Sequence, residues 1–292
     1  MDCADYSDAA LVLVGHGSTL NADSSSPTHR HADWLRNQRI FRQVVECFWK
    51  EEPSICGVLR GVWAPRVFIV PLFISDGYFT EQVIPRELGF CKNGQADFPR
   101  SQVRGGQILH YCGPVGTHES MATVLLDRAS RVVKENPRPD NVPFHESRAA
   151  LVIAGHGTSN NENSRKAIEN QVERIRAADR YGEVHAAFME EDPKIQQIYS
   201  MARSSEIVMV PFFISDGLHS FEDIPTMLGE SETDVRSRLL LGQPTWINPT
   251  ERRGKWVWYS RSIGNEPGIT DVILGRVREM ATGNPDAIRI SY

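Results

Sequence analysis

Apolar residues along this chain gather in short, nearly continuous runs: Leu11 to Val14, Val44 to Trp49, Val67 to Ile74 and Gln107 to Cys112, then Leu151 to Ala154, Val184 to Met189, Ile207 to Ile214 and Trp256 to Ser260. Runs this short, without strict polar alternation, predict strands buried on both faces. Between them, Ala32 to Val45, Met121 to Lys134, Ser164 to Ala178 and Ile269 to Met280 carry their apolar positions at helical spacing. Strand and helix in alternation predict an α/β fold with parallel sheets covered on both faces. Ligands of such sheets bind outside the carboxyl ends of the strands.

The pattern occurs twice. Leu11-Val-Leu-Val-Gly-His-Gly-Ser18 matches Leu151-Val-Ile-Ala-Gly-His-Gly-Thr158, and Val70-Pro-Leu-Phe-Ile-Ser-Asp-Gly77 matches Val210-Pro-Phe-Phe-Ile-Ser-Asp-Gly217, both at an offset of 140 residues. Phe48, Glu51, Pro53 and Ile55 recur as Phe188, Glu191, Pro193 and Ile195 at the same offset. Tyr111 to Arg128 then resembles Tyr259 to Arg276 at an offset of 148, so the second half holds a few extra residues before that point. One structural unit is therefore duplicated. The Pro-rich polar stretch from Asn136 to Pro143 marks the boundary, giving domains 1–143 and 144–292.

Composition narrows the function classes. A chain of 292 residues with 40% hydrophobic content fills two ordinary cores. A net charge of -5 and a pI near 6.0 give no electrostatic footprint for nucleic acid or an anionic membrane. The opening residues lack the basic and apolar segments of a signal peptide, and the longest apolar stretch is too short to span a bilayer, which predicts a soluble cytoplasmic protein. Five widely spaced cysteines without a C-x-x-C pair argue against a disulfide framework or a cysteine metal site and predict buried or incidental thiols.

The candidate chemistry sits at the strand ends. Each half carries Gly-His-Gly after its first strand, with His16 and His156. The glycines permit a sharp turn that leaves the ring unobstructed. Neither a P-loop nor a nucleophile elbow is present. After the third strand Phe79 aligns with His219, and after the second Lys50 aligns with Glu190, so the second half alone supplies two histidines and a carboxylate. His156, His219 and Glu190 suit a divalent first-row metal with coordination positions left open. That set is compatible with a metallohydrolase or with a metal-transfer enzyme.

Gly-His-Gly-Ser/Thr, then Phe-x-Glu, then Val-Pro-Phe-Phe-Ile-x-x-Gly-x-His followed by Asp223-Ile224-Pro225, resembles the class II tetrapyrrole chelatases, specifically the CbiX-like sirohydrochlorin cobaltochelatases and ferrochelatases. The resemblance covers both halves and is weakest at Lys92 to Arg104 and Glu230 to Lys255. It implies two tandem chelatase-like domains, each a small parallel sheet flanked by helices, with a tetrapyrrole in the cleft between them. It also implies ATP-independent insertion of Co2+ or Fe2+, the metal being a substrate, with no permanent cofactor.

Under that resemblance His156 and His219 are the metal contacts, and His156, His219 and Glu190 form the catalytic set, with Glu191 an alternative to Glu190. The first half, with Phe79 and Lys50, becomes a degenerate lid, an arrangement closer to protoporphyrin ferrochelatases than to other long members. His16, Ser18, Thr158, Lys50 and Arg261 are candidate contacts for sirohydrochlorin and its carboxylates. His29-Arg30-His31 reads as a polar loop with solvated histidines. The expected partners are the tetrapyrrole and a divalent metal, without nucleic acid or membrane, in a monomer or weak homo-oligomer. A non-catalytic tetrapyrrole or metal carrier of the same fold is the alternative function.

Overall fold

The computed structural model describes residues 5–19, 21–92, 97–157, 162–283 and 289–290. The first part of the chain forms β1 (Ala9–Gly15), α1 (Ser26–Gln38), β2 (Gln43–Phe48), α2 (Ile55–Val58), β3 (Arg66–Pro71), α3 (Ile84–Glu87), β4 (Ser101–Arg104), β5 (Gln107–Tyr111) and α4 (Met121–Glu135). The series repeats as β6 (Ala150–Gly155), α5 (Glu162–Ala177), β7 (Glu183–Phe188), α6 (Ile198–Met201), β8 (Glu206–Pro211), α7 (Ile224–Met227), α8 (Glu232–Leu240), β9 (Thr250–Arg252), β10 (Lys255–Tyr259) and α9 (Gly268–Thr282). A two-residue strand, β11 (Arg289–Ile290), pairs in parallel with β4.

Every residue of β1 and β6 is buried. Each strand lies inside its sheet, in the orders β11-β4-β5-β3-β1-β2 and β7-β6-β8-β10-β9. The uninterrupted Ala, Leu, Val and Ile content reflects that position, because a strand with neighbours on both sides and helices on both faces has no solvent side to mark with polar residues. The four predicted strands of each half are present and mutually parallel. Each sheet gains one antiparallel strand, β4 against β5 and β9 against β10. These hairpins turn on Gly105-Gly106 and Arg253-Gly254, both residues of each pair at positive φ, as tight two-residue hairpin turns require. The nine-residue helix α8 falls in the stretch where the repeat offset lengthens from 140 to 148.

Two compact units result. One comprises the residues up to His118 together with those from Pro267 onward, and the other is Glu119–Glu266. The sequence repeat and the compact units are thus different partitions of the chain: α4 lies in the unit of the second sheet and α9 in the unit of the first. Within its unit α4 packs on β8 and β10, burying Met121, Val124, Leu125, Ala129 and Val132 at three- and four-residue spacing. Within its own, α9 packs on β3 and α1, burying Ile269, Val272, Ile273 and Val277.

The histidines expected in a polar loop stand on a helix instead. Helix α1 starts at Ser26 with a proline in its first turn and ends at Arg39, which adopts the left-handed conformation. His31 is 2% exposed and hydrogen-bonds Thr270 on α9, while His29 bonds Glu46 on β2. Both imidazoles are therefore engaged within the unit. Of the cysteines described, Cys47 and Cys112 are buried, and burial pushes both thiols up to about 12. Among the described residues no helix is long and apolar enough to cross a membrane.

Candidate active site

The second unit assembles a polar cluster at the carboxyl ends of β6, β7 and β8. His156 follows β6, and its Nδ1–H donates to the Gly157 carbonyl at 2.8 Å. A carbonyl only accepts, so the proton resides on Nδ1 and Nε2 keeps its lone pair. Gly157 has φ +68°, and a Cβ there would press on Glu191 at 2.7 Å, so this turn requires glycine. The backbone N–H groups of Met189 and Glu190 donate to the His156 carbonyl, both at 3.1 Å, fixing the end of β7 beside the histidine.

His219 reaches the same place from a single π-helical turn, His219–Asp223, which runs directly into α7. Its ring centroid lies 5.0 Å from that of His156, with the planes at 79°. An ion about 2.1 Å from a nitrogen of each ring fits that separation. Glu190 Oε1 is 3.7 Å from His156 Nε2, beyond a hydrogen bond and with room for an intervening ion or water. His219 and Glu190 are both more than half exposed, so the cluster is open to solutes. Among the described residues no three His, Cys, Asp or Glu side chains stand together as a group that could hold a metal ion, so the close pair here is His156 with His219.

The structure separates Glu190 from Glu191. Glu191 pairs with Arg165 through Oε2 at 3.2 Å, and among the described residues its buried Oε1 has no hydrogen-bond partner, whereas Glu190 places its Oε1 beside His156 Nε2. Arg261 is exposed beside the Phe221 ring, at the edge of a cavity of about 320 Å³ that Arg128, Trp246 and Tyr259 also line. Ser220 and Phe221 of the π turn line that cavity too. Thr158 lies outside the described residues.

The first unit keeps the scaffold and changes the chemistry. His16 Nδ1–H donates to the Gly17 carbonyl at 2.8 Å, and Phe79–Val83 forms the same π turn. The neighbour of the His16 ring is Phe79, at 5.2 Å, with Phe73 and Trp49 packed around it. Lys50 is exposed at the end of β2. Ser18 is half-buried, its N–H donating to Glu51 and its hydroxyl accepting from Asn21 N–H. The polar set at three strand ends is thus brought together in the second unit and replaced by an aromatic cluster in the first.

Two further residues support the site through their hydrogen bonds. Asp216 is buried and accepts from both the Ser262 N–H (2.9 Å) and the Ser262 hydroxyl (2.6 Å), and that hydroxyl also meets Ser220. This ties the loop that carries His219 to the end of β10. Asp216 has a counterpart in Asp76 and looks like scaffold, whereas Ser262 aligns with Pro114, and that polar difference was the available signal. The second residue is Asp223, whose Oδ2 lies 2.6 Å from His219 Nδ1.

Comparison with known proteins agrees with this layout. The CbiX family model matches the chain twice, over residues 10–132 and 150–280. A probable sirohydrochlorin cobaltochelatase of Halobacterium salinarum is 42% identical over 289 residues, which cover 96% of this chain and 94% of that protein. The sirohydrochlorin cobaltochelatase of Methanopyrus kandleri is 30% identical over 138 residues, 44% of this chain and 95% of its own. Among solved structures, a multi-domain Deinococcus radiodurans protein described as structurally similar to chelatases superposes with a TM-score of 0.74 and 25% identity, covering 95% of this chain and 55% of its own. The sirohydrochlorin chelatase SirB from Bacillus subtilis, in complex with cobalt, matches in fold with a TM-score of 0.60 and 16% identity, covering 95% of this chain and 97% of its own. With two chelatase-like folds in tandem and the family pattern matched in both halves, the chain belongs to the CbiX family.

Proposed function

We propose that the protein inserts a divalent metal, Co2+ or Fe2+, into sirohydrochlorin without ATP, at a single site on the second unit. The observation that carries this reading is the pairing of His156 and His219 at 5.0 Å in an open, carboxylate-flanked strand-end cluster. The names of the relatives support the substrate, and the two cobaltochelatases among them favour Co2+, which would place the reaction in cobalamin synthesis. Fe2+ would place it in siroheme synthesis.

Insertion exchanges the two pyrrole N–H protons of the macrocycle for one M2+, and it must strip water from the ion. In this reading imidazoles replace waters at the metal, His156 as principal contact and His219 as second. As the metal enters the macrocycle, His156 Nε2 is released to accept a pyrrole proton, and Glu190, 3.7 Å away, relays protons or guides the incoming ion. Arg261 is assigned to a carboxylate of the tetrapyrrole.

The test is anaerobic metallation of sirohydrochlorin followed by absorbance, with Co2+ and Fe2+ offered separately to the wild type, His156→Ala and His16→Ala. A loss of about 10²–10⁴-fold in His156→Ala with most activity kept in His16→Ala is expected. The reverse pattern overturns the site assignment. A wild type no faster than the spontaneous reaction with either metal overturns the enzyme and leaves a carrier.

A further inference from the structure

We infer that Asp223 is a positioning residue for metal capture, acting through His219. The His219 Nδ1–H donates to Asp223 Oδ2 at 2.6 Å, and the Asp223 side chain makes no other hydrogen bond or ion pair among the described residues. Two orientations of an imidazole on a half-exposed turn are close in energy unless something holds one of them. The carboxylate holds it, keeps the proton on Nδ1, and leaves the Nε2 lone pair for a metal ion. A carboxylate behind a metal-binding imidazole also raises the basicity of the ligating nitrogen.

The internal repeat separates this role from a structural one. In the first unit the same π turn, Phe79–Val83, leads into the same Ile-Pro helix start. There the histidine position is Phe79 and the aspartate position is Val83. The turn therefore forms without the carboxylate, so the backbone does not require it, and histidine and aspartate occur together in one half and are absent together from the other. Arg236 on α8 is engaged by Glu222 and Glu232.

The inference rests on the chelatase reading and is tested by direct Co2+ binding as well as by turnover. Co2+ is titrated calorimetrically into the full-length wild type, Asp223→Val and Asp223→Asn, and the visible spectrum of the bound ion is recorded. Asp223→Val copies the residue that the other half places on an intact turn, so its thermal midpoint should match the wild type. Expected is Co2+ binding weaker by about 10–100-fold in Asp223→Val with an altered spectrum. Asp223→Asn, whose amide oxygen still accepts the Nδ1 proton, should lie between the two. Binding and spectrum unchanged in Asp223→Val overturn the role, as does a loss that merely follows a fall in thermal midpoint. Wild type that binds Co2+ with the predicted Asp223 dependence but does not accelerate metallation counts against the chelatase reading alone, and wild type that binds no Co2+ overturns both.

Discussion

The carbonyl oxygen of Ile214 occupies the place where a side chain on Gly264 would begin, 1.5 Å from the Cβ position. The loop after β8, which carries Asp216 and His219, is pressed against the segment after β10 with no space for a methyl group. In the first unit Gly116 meets the Ile74 carbonyl in the same way, at 2.1 Å. Gly264→Ala should lower stability by about 2–4 kcal/mol, because backbone rather than a pliable side chain must move. Thermal unfolding followed by circular dichroism would show the midpoint reduced by roughly 5–10 °C. An unchanged midpoint would mean that the two loops are not in contact.

Acid sensitivity should reside partly in Glu146. Burial alone would raise its carboxyl, but hydrogen bonds from Arg180 and Ser130 outweigh that and hold it below the ordinary value. A carboxylate with a depressed folded-state pKa adds stability above its unfolded value of about 4.3. That stability is lost as pH falls through the lower folded value. Glu146→Gln should therefore cost about 1 kcal/mol at neutral pH, and the difference from wild type should shrink towards pH 3. Denaturant midpoints for the two proteins across pH 3–7 check this, and a constant difference would contradict it.

The first unit should accept a second metal once its lost side chains are returned. Because the π turn is already in place, Phe79→His, Val83→Asp and Lys50→Glu together give the first unit the histidine, its carboxylate and the strand-end acid that the second unit has. The expected Co2+ stoichiometry rises from one to two per chain in calorimetric titration. A stoichiometry that stays at one would show that these side chains are not sufficient to hold the ion.

Thiol labelling tests the packing of the first sheet. Cys47 and Cys112, buried and pushed up to about 12, should resist a disulfide reagent at pH 8 until the protein unfolds, whereas exposed Cys56 should react in the native state. Native labelling of Cys47 or Cys112, read by mass spectrometry, would contradict the packing around β2 or β5.

Much of the molecule was legible in the sequence because strand burial and strand-end chemistry are both local. Leu11 to Val14 and Leu151 to Ala154 have no polar residue to mislead, and His156 and Glu190 follow such runs within two residues, His219 within five. The hairpin strands β4 and β9 were harder, since these short strands at the margins of their sheets carry polar residues such as Arg104 and Glu251. Their turn residues, Gly105-Gly106 and Arg253-Gly254, were the available sign. The partners of α4 and α9 were not legible at all. A duplicated sequence presents the same apolar stripe to two equivalent sheets, and nothing in the pattern says which sheet receives which helix. His29 and His31 were misread for a related reason: a histidine that caps a packing contact and one that is solvated look alike until its neighbours on Glu46 and Thr270 are known.

The placement of α9 carries a consequence for synthesis. The sheet that leaves the ribosome first belongs to a unit completed only by residues from Pro267 onward, while Glu119–Glu266 is one continuous stretch. The earlier sheet thus waits, with the face that α9 covers still bare, for roughly 10–30 s at a translation rate of about 5–20 residues per second. The unit bearing the histidine pair finishes before the one that was begun first, and a chain truncated near its end would leave that early sheet permanently uncovered.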